Sequence, residues 1–186
     1  MAYRNGTYVA FDGQGTTNPT QSDLKYLDLL RRWNKSRNYE LTFSDSHLKT
    51  YRSLDTSQKR TLENRLMERL CNAENMLLIL SNDTNDNSEL LNFEIEKAVD
   101  VYELPVIVAY TGCDYLLDAK MYRNRWPRTL KKRIKNRSLR AIHIAFKEKT
   151  VMSAINQFSV HSDRDNILKG PLNTYLKWAY QSWKYL

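Results

Sequence analysis

Hydrophobic residues occur in five short runs along the chain, and each run has the length of a β-strand. The runs span residues 7–12, 39–45, 75–81, 105–109 and 140–146. Each run is followed by apolar residues at helical spacing, for example Leu62, Leu66 and Leu70 after the second run. Strands that alternate with helices in this way form a parallel sheet with helices on both faces. The pattern therefore predicts an α/β fold.

The order of the predicted elements also limits the topology. Five strands, each followed by a helix, predict a flavodoxin-like, doubly wound sheet of five parallel strands. Because parallel crossovers are right-handed, few strand orders remain, and 2-1-3-4-5 is the commonest for five strands. The last segment predicts a weak helix at residues 151–158 and a final helix that begins at Gly170–Pro171. We therefore predict an α/β domain over residues 1–148 and a helical C-terminal extension, residues 149–186, packed on the same domain.

One carboxylate interrupts the apolar face of the helix predicted after the third strand. At about 100° per residue, the core-facing stripe of this helix contains Leu90, Leu91, Ile95, Ala98, Val99, Val101 and Tyr102. Glu94 falls inside that stripe. The other acids of the segment fall on the opposite face: Glu89, Glu96, Asp100 and Glu103. Glu94 therefore either caps N–H groups or meets the helix dipole near the start of the helix, or it is a functional carboxylate.

The predicted topology brings Glu94 to an edge of the sheet where ligands bind. With the order 2-1-3-4-5, the direction of the chain across the sheet reverses between the first and third strands. The loops that meet there are residues 12–20 and 81–88, and the helix with Glu94 begins at the end of the second loop. Helical phase and topology therefore indicate the same crevice.

Composition narrows the class of protein. The chain has 186 residues, of which 41% are hydrophobic and 27% are charged, as in an ordinary globular protein. Its first residues show no signal peptide, and no apolar run approaches the ~20 residues that a membrane span requires. Cys71 and Cys113 lack the spacing of metal ligands. We therefore expect a cytoplasmic protein with two free thiols, and neither a metal site nor a bound cofactor.

The net charge of +8 is concentrated in the second part of the chain. Residues 1–111 carry 13 Lys and Arg against 16 Asp and Glu, whereas residues 112–186 carry 16 against 5. Most of the excess lies between Lys120 and Arg140, which predicts an anionic partner. One alternative is an acidic protein surface or another copy of this chain. The weaker alternative is nucleic acid, with Tyr122 and Trp126 stacking on bases, because no recognition-helix motif accompanies the charge.

Several motifs together resemble the TIR-like proteins of the Thoeris type, which are relatives of Toll/interleukin-1 receptor domains. The similarity extends over about residues 5–146 and preserves the order of the elements. The matching segments are Tyr8-Val-Ala-Phe11-Asp12, Asp23…Leu27…Trp33, Phe43-Ser-Asp45-Ser-His47, Leu78-Ile-Leu-Ser81…Ser88…Phe93-Glu94-Ile95…Ala98 and Pro105-Val-Ile-Val108. The aromatic–Glu–Ile sequence after a strand and loop is the most specific of them.

The resemblance implies an activity. In catalytic TIR domains, a Glu in this helix is essential for cleaving the nicotinamide–ribose bond of NAD, and Glu94 matches that position. It implies that NAD is the substrate, that a cyclic ADP-ribose-like product activates an effector in antiphage defence, and that TIR–TIR contacts form a homo-oligomer. It equally implies an alternative, because many TIR domains are non-catalytic adaptors that act by self-association. Leu90 replaces the Trp that is common four residues before the Glu.

Six further residues are predicted to bind the substrate beside the catalytic Glu94: Phe11, Asp12, Asp45, His47, Ser81 and Ser88. The phenylalanine lies at a strand end, where it either packs in the core or stacks on nicotinamide or adenine. The two aspartates end neighbouring strands and bind either the substrate or nearby backbone. The histidine is either solvated or contacts NAD. The two serines have an alternative explanation as loop and helix-cap residues.

Overall fold

Parallel strands form one sheet in the structure, a computed structural model that describes residues 4–13, 23–36, 39, 41–45, 56–163 and 167–186. Within these residues the strands are β1 (Thr7–Ala10), β2 (Phe43–Asp45), β3 (Asn75–Leu80), β4 (Val106–Tyr110), β5 (Ala141–Ala145) and β6 (Asn173–Thr174). Their order across the sheet is β2-β1-β3-β4-β5-β6, and every neighbouring pair is parallel. The predicted flavodoxin-like order of the first five strands is confirmed. The sixth strand was not predicted.

Helices cover both faces of the sheet. They are α1 (Leu24–Ser36), α2 (Thr56–Asn72), α3 (Glu89–Asp100), a 3-10 helix (Ala119–Arg125), α4 (Arg128–Lys135), α5 (Glu148–Gln157) and α6 (Lys177–Ser182). Apolar residues of α2, α3 and α4 pack on one face, and those of α1 and α5 pack on the other. The predicted alternation of strands and helices is therefore confirmed.

The third strand shows why the apolar runs are continuous rather than alternating. All six residues of β3 are buried, because helices cover the strand on both sides. Its neighbouring side chains point to opposite faces, so Leu78 joins the core under α2 and α3 while Ile79 joins the core under α1 and α5. Leu91 and Ile95 of α3 complete the first of these two cores. This packing fixes the rotation of α3 about its axis.

The C-terminal segment differs from its prediction in one element. Gly170 adopts φ +88°, a conformation that favours glycine, and the chain then runs beside β5 as the two-residue strand β6. The side chain of Asn173 holds this turn, since Nδ2 donates to the carbonyls of Ala141 and Gly170 at 2.8 and 3.0 Å. The final helix starts only at Lys177. The domain boundary at residue 148 stays a prediction.

A buried chain of hydrogen bonds joins β4 and β5 to the turn before β6. Trp126 Nε1 donates to the Tyr110 hydroxyl at 2.6 Å, this hydroxyl donates to His143 Nδ1 at 2.7 Å, and His143 Nε2 donates to the Pro171 carbonyl at 2.8 Å. The direction follows from the carbonyl, which can only accept. Burial lowers the pKa of His143 to about 4, so the ring is neutral near pH 7. His143 is thus part of the packing between strands.

The helices and the cysteines bear on what the composition predicted. Within the part of the chain that the structure describes, no helix is long and apolar enough to cross a membrane. Cys71 is exposed, Cys113 is half-buried, and both are free thiols, as predicted. The cytoplasmic location stays a prediction.

Candidate active site

Glu94 lies on the buried face of α3, and its side chain is 0% exposed. The residues that share this face are Leu91, Asn92, Ile95, Ala98 and Val99. The four other acids of the segment are exposed, which confirms the predicted rotation of the helix. The prediction was wrong for Val101, which is 52% exposed because it follows the last residue of the helix as its C-cap.

The carboxylate of Glu94 is hydrogen-bonded to the first strand. The Tyr8 hydroxyl donates to Glu94 Oε1 at 2.5 Å, a short hydrogen bond between two oxygens. Tyr8 is also 0% exposed, and it pairs with Met76 of β3 inside the sheet. The bond therefore connects α3 to β1. It lies between β1 and β3, where the direction of the chain across the sheet reverses, and deeper in the core than the carboxyl ends of these strands.

A network of polar groups joins the carboxyl ends of β1 and β3. Asp12 Oδ2 accepts a hydrogen bond from the backbone N–H of Asn85 at 2.8 Å. The backbone N–H of Ser81 donates to Thr84 Oγ1 at 2.8 Å, and Ser81 Oγ accepts from the N–H of Asp83 at 3.1 Å. Asp12 and Ser81 are 5% and 3% exposed. The two loops thus meet at this edge, as far as the described residues 12–13 and 81–88 extend.

Asp23 belongs to the same network, although in the sequence the spacing Thr20-x-x-Asp23 before Leu24 resembles only a helix capping box. Thr84 Oγ1 donates to Asp23 Oδ2 at 3.4 Å, and Asp23 is 1% exposed. Burial, with a smaller effect from the charge of Asp12, raises the pKa of Asp23 to about 6 against the lowering effect of the hydrogen bond with Ser81. Thr20 lies outside the described residues. A short-range capping pattern does not reveal that the carboxylate faces a loop 61 residues away.

We expect Asp23→Asn to raise the free energy of unfolding at pH 7 by roughly 2 kcal/mol. The folded pKa, about 6, lies above the ordinary 3.8, so the folded chain holds this proton more tightly than the unfolded chain. The contribution of Asp23 to stability is therefore present below pH 3.8 and is lost as the pH rises through 6. Urea denaturation between about pH 4 and pH 7 measures the effect. The control is Asp28→Asn in α1, the helix that begins just after Asp23, because the Asp28 side chain is 46% exposed. Parallel pH profiles for Asp23→Asn and the wild type would contradict the raised pKa.

Asn92 holds the start of α3, and it was not identified from the sequence. Its Nδ2 donates to the carbonyls of Asp86 and Ser88 at 2.9 and 2.8 Å, and its Oδ1 accepts from the N–H of Thr129 in α4 at 2.8 Å. Ser88 occupies the N-cap position, but its side chain makes no capping hydrogen bond. The helix-cap explanation of Ser88 is therefore wrong for its side chain. Asn92 fixes the loop and the first turn on which Glu94 depends.

Among the remaining predicted site residues, the structure describes the side chain of Phe11 but not those of Asp45 and His47. Phe11 is 1% exposed and packs with Leu27 and Leu30 of α1, on the face of the sheet opposite to Glu94. Asp45 ends β2 and pairs with Val9, but its side chain lies outside the described part, as does the whole of His47.

Leu90, which replaces the Trp expected from the resemblance to TIR domains, is half-buried. It packs against the core under α2 and α3, the same core that contains Tyr8. The position is therefore filled by an aliphatic contact with the core rather than by an aromatic one.

The aromatic residues of the basic segment face inward. Tyr122 stacks on Tyr110 with ring centroids 5.0 Å apart, and Trp126 is 7% exposed with its Nε1 bonded to Tyr110. Arg133 is buried and its Nε donates to Asp100 at 3.0 Å. The exposed cations of the segment are Lys120, Arg123, Arg128, Lys131, Lys132, Lys135, Arg137 and Arg140. Trp126 is therefore too deeply buried to stack on a nucleic-acid base. One face of the Tyr122 ring is already covered by Tyr110.

A cavity of 310 Å³ lies at the opposite edge of the sheet from the polar network. Its lining residues are Arg4, Val101, Tyr102, Glu103, Arg140, Ser159, Val160, Ser162 and Ile167. Arg4 and Arg140 donate to the carbonyls of Tyr102 and Glu103, just beyond the end of α3. Glu94 is in the second turn of α3, so this cavity does not contain it.

A known family matches more than half of the chain. The family model described as Thoeris protein ThsB, TIR-like domain, matches residues 8–116. The match covers 109 of the 186 residues and extends from β1 through β4, so it includes Tyr8, Asp12, Ser81 and Glu94. The resemblance found in the sequence motifs is confirmed.

Proposed function

Because the chain belongs to the Thoeris ThsB family of TIR-like domains, we propose that it cleaves the nicotinamide–ribose bond of NAD and that Glu94 is its catalytic residue. Family membership supports the coarser statement directly: this is a TIR-type signalling protein of antiphage defence. The observation that carries the finer proposal is the position of Glu94. An acid occupies the interior face of α3 among Leu91, Ile95 and Ala98 with no exposed surface, where burying a charge is costly unless it is bonded.

The proposed chemistry requires one anionic group rather than an acid–base pair. The nicotinamide ring of NAD carries a positive charge, so the C1′–N bond breaks with its electron pair moving to nicotinamide, which leaves neutral without a proton. Positive charge then develops at the ribose C1′ and ring oxygen, as in glycoside hydrolysis. A carboxylate held beside this ribose stabilises the charge and accepts hydrogen bonds from the ribose hydroxyls. Glu94 supplies that group in the proposal.

The second step decides the product. Attack of water on C1′ gives ADP-ribose, whereas attack by a hydroxyl or a ring nitrogen of the same substrate gives a cyclic ADP-ribose isomer. We assign the cyclic route to this protein, because a diffusible nucleotide is the signal that the resemblance implies. The downstream effector and the cytoplasmic location belong to the same proposal. The substrate-binding roles of the residues predicted beside Glu94 stay predictions.

The buried position of Glu94 sets a condition on the reaction. The carboxylate is 0% exposed, so the ribose reaches it only if the polar network at the carboxyl ends of β1 and β3 opens, while the strands stay paired and Tyr8 keeps its place in the core. We therefore expect activity to depend on an event that opens this edge, and assembly into a TIR–TIR oligomer is the event we propose. In dilute solution the enzyme is then slow, and its specific activity rises with protein concentration.

The experiment is a titration of protein concentration at fixed NAD. Wild-type protein is incubated with NAD from dilute to crowded conditions, free nicotinamide is quantified by chromatography, and the oligomeric state is followed by analytical ultracentrifugation. The proposal predicts nicotinamide release whose rate per chain rises with the oligomeric fraction. Oligomers that leave NAD intact would contradict it.

A second candidate function is a non-catalytic TIR adaptor that acts by self-association. The burial of Tyr8 and Glu94 favours this function, because two buried, hydrogen-bonded side chains can serve only to join β1 and α3. Exposed apolar side chains are available for contacts with another copy, among them Met121, Leu176 and Trp178, which are 73%, 65% and 66% exposed. Oligomers without nicotinamide release are the result that the adaptor predicts.

A further inference from the structure

Tyr8 is held rigidly in a place where its hydroxyl meets no solvent. It is 0% exposed and belongs to the core that packs β1 against α2 and α3, together with Leu70, Leu91 and Ile95. Its backbone lies between β2 and β3, paired with Ser44 and Met76. The ring therefore cannot turn away without disturbing the core, because interiors are packed at high density.

The hydroxyl of this fixed ring ends at the carboxylate of Glu94. The bond of 2.5 Å to Oε1 lies at the short end of the range for a hydrogen bond between two oxygens. Such bonds are stronger in a water-free interior than at the surface. The Tyr8 hydroxyl thus holds one carboxylate oxygen of Glu94 in a fixed position.

We infer that Tyr8 is the positioning residue of the proposed reaction and that its hydroxyl holds the Glu94 carboxylate in the orientation that the ribose requires. This inference rests on the proposed function. A carboxylate has about four acceptor positions, so the single bond from Tyr8 does not by itself exclude a hydrogen bond from a ribose hydroxyl. Tyr8 itself need not touch the substrate.

The role follows from the energetics of preorganised groups. A charge that is already oriented stabilises the transition state without reorganising during the reaction, whereas a freely rotating carboxylate must first be ordered. Residues that orient the ligands of a metal site typically cost about 10–100-fold in activity when they are removed, and we expect a loss of the same order for a residue that orients a catalytic carboxylate. A loss of this size in kcat, with KM unchanged, is the signature of an interaction used only in the transition state.

The test is Tyr8→Phe, which removes one oxygen and keeps the ring. We expect kcat for nicotinamide release to fall about 10–100-fold while KM changes less than about 2-fold. The matched control is Tyr175→Phe, because the Tyr175 hydroxyl also donates a side-chain hydrogen bond, to Gln157 Oε1 at 3.0 Å, but packs in the core under α1 and α5. This control is expected to keep the wild-type kcat.

A spectroscopic measurement accompanies the kinetics and does not depend on turnover. The proton of a short, buried hydroxyl–carboxylate bond gives a downfield proton NMR signal that exchanges slowly with water. We expect this signal in the wild type and in Tyr175→Phe, its loss in Tyr8→Phe, and its displacement in Glu94→Gln. Absence of the signal in the wild type would overturn the inference.

The kinetic outcomes separate the inference from the proposed function. An active wild type with Tyr8→Phe equally active would overturn the role of Tyr8 and leave the function intact. A faster Tyr8→Phe would also overturn it, because the bond would then hold Glu94 away from the substrate. A raised KM with unchanged kcat would reassign Tyr8 to substrate binding. An inactive wild type under every assembling condition would remove the function and the inference together.

Discussion

Replacing Glu94 with Gln is expected to lower the rate of nicotinamide release from NAD by about 10²–10³-fold. Glutamine has the same shape, and its amide oxygen can still accept the hydrogen bond from Tyr8, so packing between β1 and α3 is retained. The variant lacks the negative charge that stabilises the oxocarbenium-like ribose. Initial rates measured by chromatography at saturating NAD give the ratio directly.

The control for this variant is a carboxylate on the same helix that faces solvent. Glu89 pairs with Lys59 at the surface, and its side chain is 85% exposed, so Glu89→Gln is expected to keep the wild-type rate. Far-ultraviolet circular dichroism and thermal denaturation verify that Glu94→Gln is folded. A folded Glu94→Gln that releases nicotinamide as fast as Glu89→Gln would remove Glu94 from the mechanism.

Replacing Asn92 with Ala is expected to lower the free energy of unfolding by about 3 kcal/mol. The substitution removes three hydrogen bonds from a side chain that is 7% exposed, and it leaves two carbonyls and the N–H of Thr129 to find other partners. These groups join the β3–α3 loop to the first turns of α3 and α4. Urea denaturation at pH 7, followed by circular dichroism, measures the loss.

Two further variants show whether the hydrogen bonds cause this loss. Asn92→Asp keeps an acceptor for Thr129 but cannot donate to the two carbonyls, so its stability is expected between that of the wild type and that of Asn92→Ala. Asn87 is exposed in the same loop, and Asn87→Ala is expected to change stability by less than about 0.5 kcal/mol. Equal stability of Asn92→Ala and Asn87→Ala would show that Asn92 does not hold the loop.

The sequence was sufficient for the features that depend on local periodicity. The buried run of β3 and the apolar stripe of α3 follow from spacing alone, and the structure places Leu91, Ile95 and Ala98 on the core side as that spacing requires. The order of the first five strands follows from short right-handed crossovers. The rotation of Glu94 into the core could therefore be predicted from the sequence.

The sixth strand could not be predicted by the same reasoning. Asn173 and Thr174 form no hydrophobic run, so no periodic pattern marks them as a strand. The connection from β5 to β6 passes through α5 on the face of α1, whereas the connections through α3 and α4 use the other face, which gives this crossover the opposite hand. The rule that crossovers are right-handed would therefore have predicted that no strand forms at the position of β6.

The side-chain contacts of the candidate site also could not be predicted from the sequence. Helical phase gives the direction in which Glu94 points but not its depth, and so it could not distinguish the rim of a crevice from the interior. Its partner Tyr8 is 86 residues away, and Asp23 reaches Thr84 over 61 residues. No local pattern encodes such pairs, because they arise only when β1, α1 and α3 pack on the same sheet.

The central claim is that the Glu94 carboxylate drives cleavage of NAD at the nicotinamide–ribose bond. The most direct measurement is mass spectrometry of the nucleotides formed when wild-type protein and Glu94→Gln are incubated with NAD at equal, assembling concentrations. Nicotinamide in equal amount with an ADP-ribosyl product, 18 mass units lighter than ADP-ribose if it is cyclic, is the predicted wild-type result, and unchanged NAD is predicted for Glu94→Gln. Intact NAD in the wild-type sample, or the same products in both samples, would contradict the claim.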